Sequence, residues 1–273
     1  MSGLLAADWL KLRKRLMPRV LLGIMLAIIA LIFFGVARQN DTQTVRDIFL
    51  PDSWLLGLAY ASFFAPFIAP ILAGSWAGSE YSWGTIRMIL SRRPGRDQFL
   101  LSGIIVLLLG AAFALLATLV LATLAGWLSA SLMSHSAFSS SALTNDFWGT
   151  LVKLFLGVWL VMAFYVVLAY SAGTLFRSGA VGIGVGVGLT LADLILTGIF
   201  TGLGGTWRQI ADHFPDVYAR TLPLKIAEHQ VSSLDTGRAD LPSISTSIVG
   251  LGIYTLVPLA IALLLIRYRD VTA

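Results

Sequence analysis

Six long, predominantly apolar runs, at residues 20–36, 55–77, 99–128, 151–175, 180–203 and 248–266, constrain this chain more than any motif does. A hydrocarbon core about 30 Å thick is crossed by roughly 20 residues of helix, and in lipid the backbone must satisfy its own polar groups. The runs are therefore predicted to be six transmembrane helices. The fold class that follows is an all-α integral membrane protein, with residues 1–273 forming one transmembrane domain and no room for a separate soluble one. Composition agrees: 57% of residues are hydrophobic and 12% charged, whereas soluble domains run at about 45–50% apolar and about 25% charged. Run 20–36 follows a basic segment and lacks a small-x-small cleavage site, so it is expected to stay as an uncleaved span.

The formal net charge of +5 takes its meaning from where the charges lie. Twelve Lys and Arg fall in the N-terminal segment, the loop after the second run, Arg177 and the C-terminus, and six fall in the alternate loops. The positive-inside rule then places both termini and loop 78–98 in the cytoplasm. The excess charge is a topology signal and not a nucleic-acid footprint. Within the N-terminal segment, Leu5, Trp9, Leu12 and Leu16 share one helical face, with Lys11, Arg13, Lys14 and Arg15 largely off it. This pattern predicts an interfacial amphipathic helix that anchors at the headgroup layer, cations toward anionic lipid, until Pro18 turns the chain into the first span. An ordinary positive-inside flank is the plainer alternative.

Several chemistries are excluded or weakened by pattern. There is no cysteine, so disulfides and thiolate metal sites are ruled out. A P-loop needs Gly-Lys followed by Ser or Thr, and none of the four lysines (Lys11, Lys14, Lys153, Lys225) follows a glycine. His135, His213 and His229 form no H-E-x-x-H arrangement, and no G-x-S-x-G elbow is present. No metal, catalytic residue or directly bound cofactor is expected.

Three features inside the apolar runs stand as candidate pathway elements. Gly182, Gly184, Gly186 and Gly188 alternate in the fifth run, so Gly182 and Gly186 mark one helical face and Gly184 and Gly188 nearly the opposite one. A span that shifts between neighbours and a span in static close contact both fit. Asp193 lies near the middle of that run, where a carboxylate is expensive, so it should face a cavity, a hydroxyl, water or a second subunit. Pro66 and Pro70 remove two backbone donors from the second run and predict a kink. The 44-residue stretch 204–247 spaces Trp207, Ile210, Phe214 and Val217 at helical intervals, with Pro215 and Pro223 as breaks. Short capping helices followed by a flexible return are expected there, with a disordered linker as the alternative.

Loop 78–103 concentrates Arg87, Arg92, Arg93 and Arg96 with Tyr81, Trp83 and a Pro94-Gly95 reversal. It offers Glu80 at the end of the second span, a short amphipathic helix over 83–90, and Asp97 at the start of the third span, where its charge suits a helix N-terminus. The order Glu80-Tyr81-Ser82-Trp83-Gly84-Thr85, then Ile86-Arg87-Met88-Ile89-Leu90, then Arg93-Pro94-Gly95-Arg96 resembles the first cytoplasmic loop of type-2 ABC (ABC-2) exporter permeases, in particular the small bacterial drug- and bacteriocin-immunity subfamily. Basic N-terminus, six spans and a long loop between the last two complete the likeness. Many relatives carry a lysine early in the third span, where this chain has Leu101-Ser102-Gly103.

The resemblance implies a permease subunit of an ATP-binding-cassette exporter in the bacterial cytoplasmic membrane. Its coupling helix, here Glu80, Trp83, Thr85, Ile86, Arg87, Ile89, Leu90, Arg93 and Arg96, would dock on a separate ATPase subunit that binds ATP and Mg. A second permease subunit, identical or not, would help enclose the pathway. An ion-gradient-driven secondary transporter using Asp193 is the main alternative, and an intramembrane enzyme or a bare anchor are weaker ones.

Overall fold

A computed structural model describes residues 2–38, 47–82, 95–132, 145–228, 231 and 242–268. Among them the chain forms only helices: α1 (Ser2–Lys14), α2 (Leu16–Ala37), α3 (Asp52–Ser82), α4 (Arg96–Leu132), α5 (Asn145–Leu175), α6 (Gly179–Leu203), α7 (Gly205–Ala211), α8 (Pro215–Ala227) and α9 (Ile244–Tyr268). Six of these, α2 to α6 and α9, are long and apolar enough to cross a membrane. They coincide with the six predicted runs. At 31 and 37 residues, α3 and α4 exceed the roughly 20 that a bilayer core requires, so their polar ends extend past the apolar segments read from the sequence.

Burial ranks the helices. In α3 and α5 the most apolar window is 56% buried, against 11% in α9. A helix that is apolar around its whole circumference belongs in the centre of a bundle, and α5 buries Val161–Val167 in unbroken succession. Its partners are α3, α9, α6 and α4, with α2 and α1 on the far side of α3 and α4.

The turn from α5 to α6 takes only three residues. Arg177 adopts φ 54°, the left-handed geometry of a helix C-terminal stop, and the Ser178 N–H bonds back to the Gly173 carbonyl at 3.0 Å. The Ser178 hydroxyl then accepts the Val181 N–H at 3.4 Å, capping α6. So tight a reversal lays Gly179 against Gly78 of α3 and Gly182 against Gly74, with the backbones themselves in contact. Gly182 and Gly186 are on this packed face. Gly184 and Gly188 face open space, so the two faces told apart by the glycine alternation differ in fact.

Two expectations are corrected. Pro223, expected as a break, lies inside α8. The turn between α1 and α2 is made by Arg15, in an extended conformation, with Pro18 already inside the first turn of α2, a position where a missing N–H has no helical partner to lose. The capping helices anticipated in 204–247 are α7 and α8, entered through Gly204 at φ 68°. The return segment anticipated after them lies, Val231 apart, mostly outside the described residues.

A methyl group at Gly182 would meet the Ala169 carbonyl and the Gly74 and Gly173 Cα atoms, none of which can rotate away. Gly182→Ala should therefore destabilise the purified chain by about 1–3 kcal/mol. Gly184→Ala has nothing within 4 Å and should be neutral or gain up to about 1 kcal/mol of helix propensity. Thermal unfolding in detergent distinguishes them; equal melting of the two variants would deny the α3–α6 contact.

Candidate functional site

Glu80 sits in the last turn of α3, where the helix dipole disfavours a carboxylate, and it is 2% exposed. Cations from α1 and its C-terminal turn hold it there. Lys11 Nζ reaches Glu80 Oε1 at 3.1 Å and Oε2 at 3.3 Å, and Arg15 Nη2 reaches Oε1 at 3.2 Å. Arg15 also donates from Nη1 to the Ser79 hydroxyl at 2.7 Å and lies over the Trp76 ring, 4.6 Å from its centroid. Spacing explains the arrangement: Lys11 and Leu12 each lie three or four residues from both Asp8 and Arg15, so one side of the segment carries a charge array around a buried leucine.

The array continues to α4. Lys11 Nζ pairs with Asp8 Oδ1 at 3.0 Å, and Asp8 Oδ2 accepts the Ser102 hydroxyl at 2.7 Å. Next to Ser102, Gly103 lies beneath the Tyr170 phenol of α5, which fills the space a side chain would take. Leu101-Ser102-Gly103 is thus a docking point for Asp8 and Tyr170. Through these contacts α1 straps together α3 and α4, the two helices that flank loop 83–94.

Trp83, Thr85, Ile86, Arg87, Ile89, Leu90 and Arg93 lie outside the described residues, and of Arg96 only its place at the start of α4 is described. Of the anchor residues, Trp9, Arg13 and Lys14 are exposed. Lys11 and Arg15 are not turned to lipid as the amphipathic pattern suggested, because the buried Glu80 engages them. That ion pair could have been found only by asking what compensates a carboxylate at a helix C-terminus next to a membrane.

The other end of the bundle holds the second cluster. Pro70 lacks the N–H that would bond the Pro66 carbonyl, and the Thr190 hydroxyl of α6 donates to that carbonyl at 3.2 Å while also bonding Gly186 O at 3.0 Å. Thr190 was not singled out from the sequence; two prolines four apart signal that some donor must come from outside the helix. Gly186 makes room for the Pro70 ring. Three residues beyond Thr190, Asp193 is 6% exposed and its Oδ2 accepts the Asp216 N–H at 3.4 Å.

That bond gives Asp193 an identifiable task. The N-cap residue of α8, Phe214, has no side-chain acceptor, so Asp193 supplies one from another helix to an N–H that lacks an intrahelical partner. Neither a hydroxyl nor a second subunit is needed for this bond. Asp216 in turn pairs through Oδ2 with Arg220 Nε at 2.7 Å. Burial pushes the Asp216 carboxyl above the usual carboxylate range, and the Arg220 guanidinium pulls it back down. Asp216 Oδ1 and the Tyr165 hydroxyl are also buried close to this cluster. Tyr254 closes the side toward α9, donating to the His213 carbonyl at 2.9 Å. Among the described residues no three His, Cys, Asp or Glu side chains group as a metal site.

Each end yields an expected outcome. Lys11→Ala together with Arg15→Ala leaves the Glu80 charge uncompensated, a cost of about 3–5 kcal/mol for a buried ion. Tryptic cleavage within 11–19 of the detergent-solubilised chain should accelerate for any site that remains, notably after Arg13 and Lys14, and further replacing Glu80 by Gln should restore part of the protection. Unchanged cleavage would mean that α1 is held by its apolar face alone. Asp193→Ala should cost about 1 kcal/mol, the usual worth of an N-cap, and speed hydrogen exchange of the amides that open α8. Asp193→Asn should keep exchange close to the parent's, and equal exchange in both variants would remove the capping role.

These contacts fall within a chain whose segment 4–193 matches the family model described as ABC-2 family transporter protein. The match takes in α1 to α5 and most of α6, including the Glu80 clamp and Asp193 itself. No curated protein matches the chain. A match over more than half of the sequence, in a chain with six apolar helices and a basic loop between the second and third, identifies this protein as a member of the ABC-2 family of transporter membrane proteins.

Proposed function

We propose that the chain is the membrane-spanning permease subunit of an ATP-binding-cassette exporter, that its six spans act as one domain forming the substrate pathway, and that a separate ATPase subunit binds and hydrolyses ATP with Mg. The observation that carries this reading is the Glu80 clamp. A loop that served only as a topology signal would need no ordered root, yet α1 joins both helices that flank it through Lys11, Arg15, Asp8 and Ser102. A force applied to the loop is thereby delivered to three helices at once. The clamped end faces the cytoplasm of a bacterial inner membrane, as the distribution of Lys and Arg favours. A second copy or a related permease subunit completes the pathway.

Asp193 Oδ2 accepts the Asp216 N–H at the N-terminus of α8, a structural contact that by itself calls for no ion gradient. Docking concentrates binding energy in a few well-packed residues, each worth about 2 kcal/mol or more. Arg87→Ala and Ile86→Ala should therefore lower recovery of a copurified ATPase chain by about tenfold or more, whereas Arg92→Ala, beside the reversal, should lower it little. The measurement is a pull-down from native membranes, with substrate-stimulated ATP hydrolysis in proteoliposomes alongside. Small and equal effects of all three substitutions, with stimulation intact, would leave the loop a topology determinant.

A further inference from the structure

Where α1 meets α2, the bundle leaves a cavity of about 500 Å³ that also borders α3, α4 and α5. Its wall is apolar, formed by side chains such as Leu12, Leu22, Met25, Leu72, Phe113 and Val166. Two cations join that wall. Arg13 and Arg19 line the cavity and are both exposed, and the Arg19 guanidinium donates to the Arg13 carbonyl, which brings the two residues to one rim. Neither forms an ion pair among the described residues, and the acidic groups of the same region, Asp8 and Glu80, are taken up by Lys11, Arg15 and Ser102.

We propose that this cavity is a binding site for one membrane phospholipid with an anionic headgroup, its acyl chain in the apolar cleft and its phosphate held by Arg13 and Arg19. Volume and lining match a ligand pocket, which is mostly apolar with a few polar groups that fix orientation. Guanidinium groups bind phosphate through paired hydrogen bonds, and basic pockets between membrane helices collect anionic headgroups. A free phosphate would leave the apolar wall bare. A cationic amphiphile would set like charge against two arginines. A second copy of the chain has little to offer this rim, because α6 and α9 present exposed faces such as Leu191, Ile195, Ile199, Ile253 and Leu256 with no acidic side chain among them. The site lies at the α1 end, which is the inner leaflet in the orientation proposed above.

The test uses the full-length chain in nonionic detergent with no ATPase present, so it stands apart from the proposed export function. Phosphatidylglycerol and phosphatidylcholine with the same acyl chains are titrated and retention is counted by native mass spectrometry. A phosphatidylglycerol carrying a mid-chain photoreactive group maps the contact. Two arginines at the membrane surface should favour the anionic lipid by about tenfold or more, with cross-links to the peptides containing Met25 and Phe113. Arg13→Gln combined with Arg19→Gln should abolish the preference, lowering phosphatidylglycerol retention to that of phosphatidylcholine. Ala114→Phe, which fills the cavity from α4, should lower retention of both lipids, with thermal unfolding used to confirm that the variant is folded. Equal retention of the two lipids by the parent, an unaltered preference in the double arginine variant, or lipid cross-links that leave out the peptides containing Met25 and Phe113 would each overturn the proposal.

Discussion

Apolar helix faces gain nothing by leaving lipid for one another, so a membrane bundle has to be held by close van der Waals packing and by polar contacts. In this protein the requirement is met mainly along α3. Glycines let α3 and α6 touch backbone to backbone, Gly78 to Gly179 and Gly74 to Gly182, which is the nearest approach two helices can make. The same pair then supplies a hydrogen bond in the apolar zone, from Thr190 to the carbonyl that Pro70 orphans. Pro70, which weakens α3 as an isolated helix, thus ties it to a neighbour. The outer helix α8 is attached by the next step of the same face, through Asp193.

At the C-terminal end of α3 an electrostatic force is added to this packing. Glu80 alone would be an unfavourable charge at a helix C-terminus, and Lys11 and Arg15 alone would be two more cations in a basic segment. Together they form a partly buried network whose geometry is specific, because Lys11 bridges two carboxylates and Arg15 bonds Ser79 while stacking on Trp76. Such a network contributes less to net stability than its contact list suggests, since desolvation offsets much of the attraction. Its value is positional: it fixes where α1 lies relative to α3 and α4.

The six spans were legible because the bilayer imposes a length and a polarity that no other environment demands, and the glycine faces were legible because helical geometry separates Gly182 from Gly184 without any structure. The site was legible in its residues and not in its connections. Glu80 and Asp193 both stood out as carboxylates in costly places, yet their partners come from 69 residues upstream in one case and 23 downstream in the other. Local pattern assigned Lys11 and Arg15 to lipid, since an amphipathic helix beside a membrane has an obvious use for cations. A competing carboxylate that is distant in sequence took precedence. Thr190 was invisible for a related reason: its importance derives from a defect in another helix.

Gly182, Gly186, Thr190 and Asp193 follow one another along α6 at intervals of four, four and three residues, and all four are buried. Their alignment makes α6 resemble a key cut on one edge. Turning it by a single residue's worth of arc, about 100°, would withdraw the glycines from α3, the hydroxyl from the Pro66 carbonyl and the carboxylate from α8 together. Rotation about its own axis would therefore break all four contacts at once, whereas travelling with α3 preserves the three made to that helix. A displacement of the Glu80 end of α3 would therefore carry α6 with it and reach α8 only through the Asp193 bond.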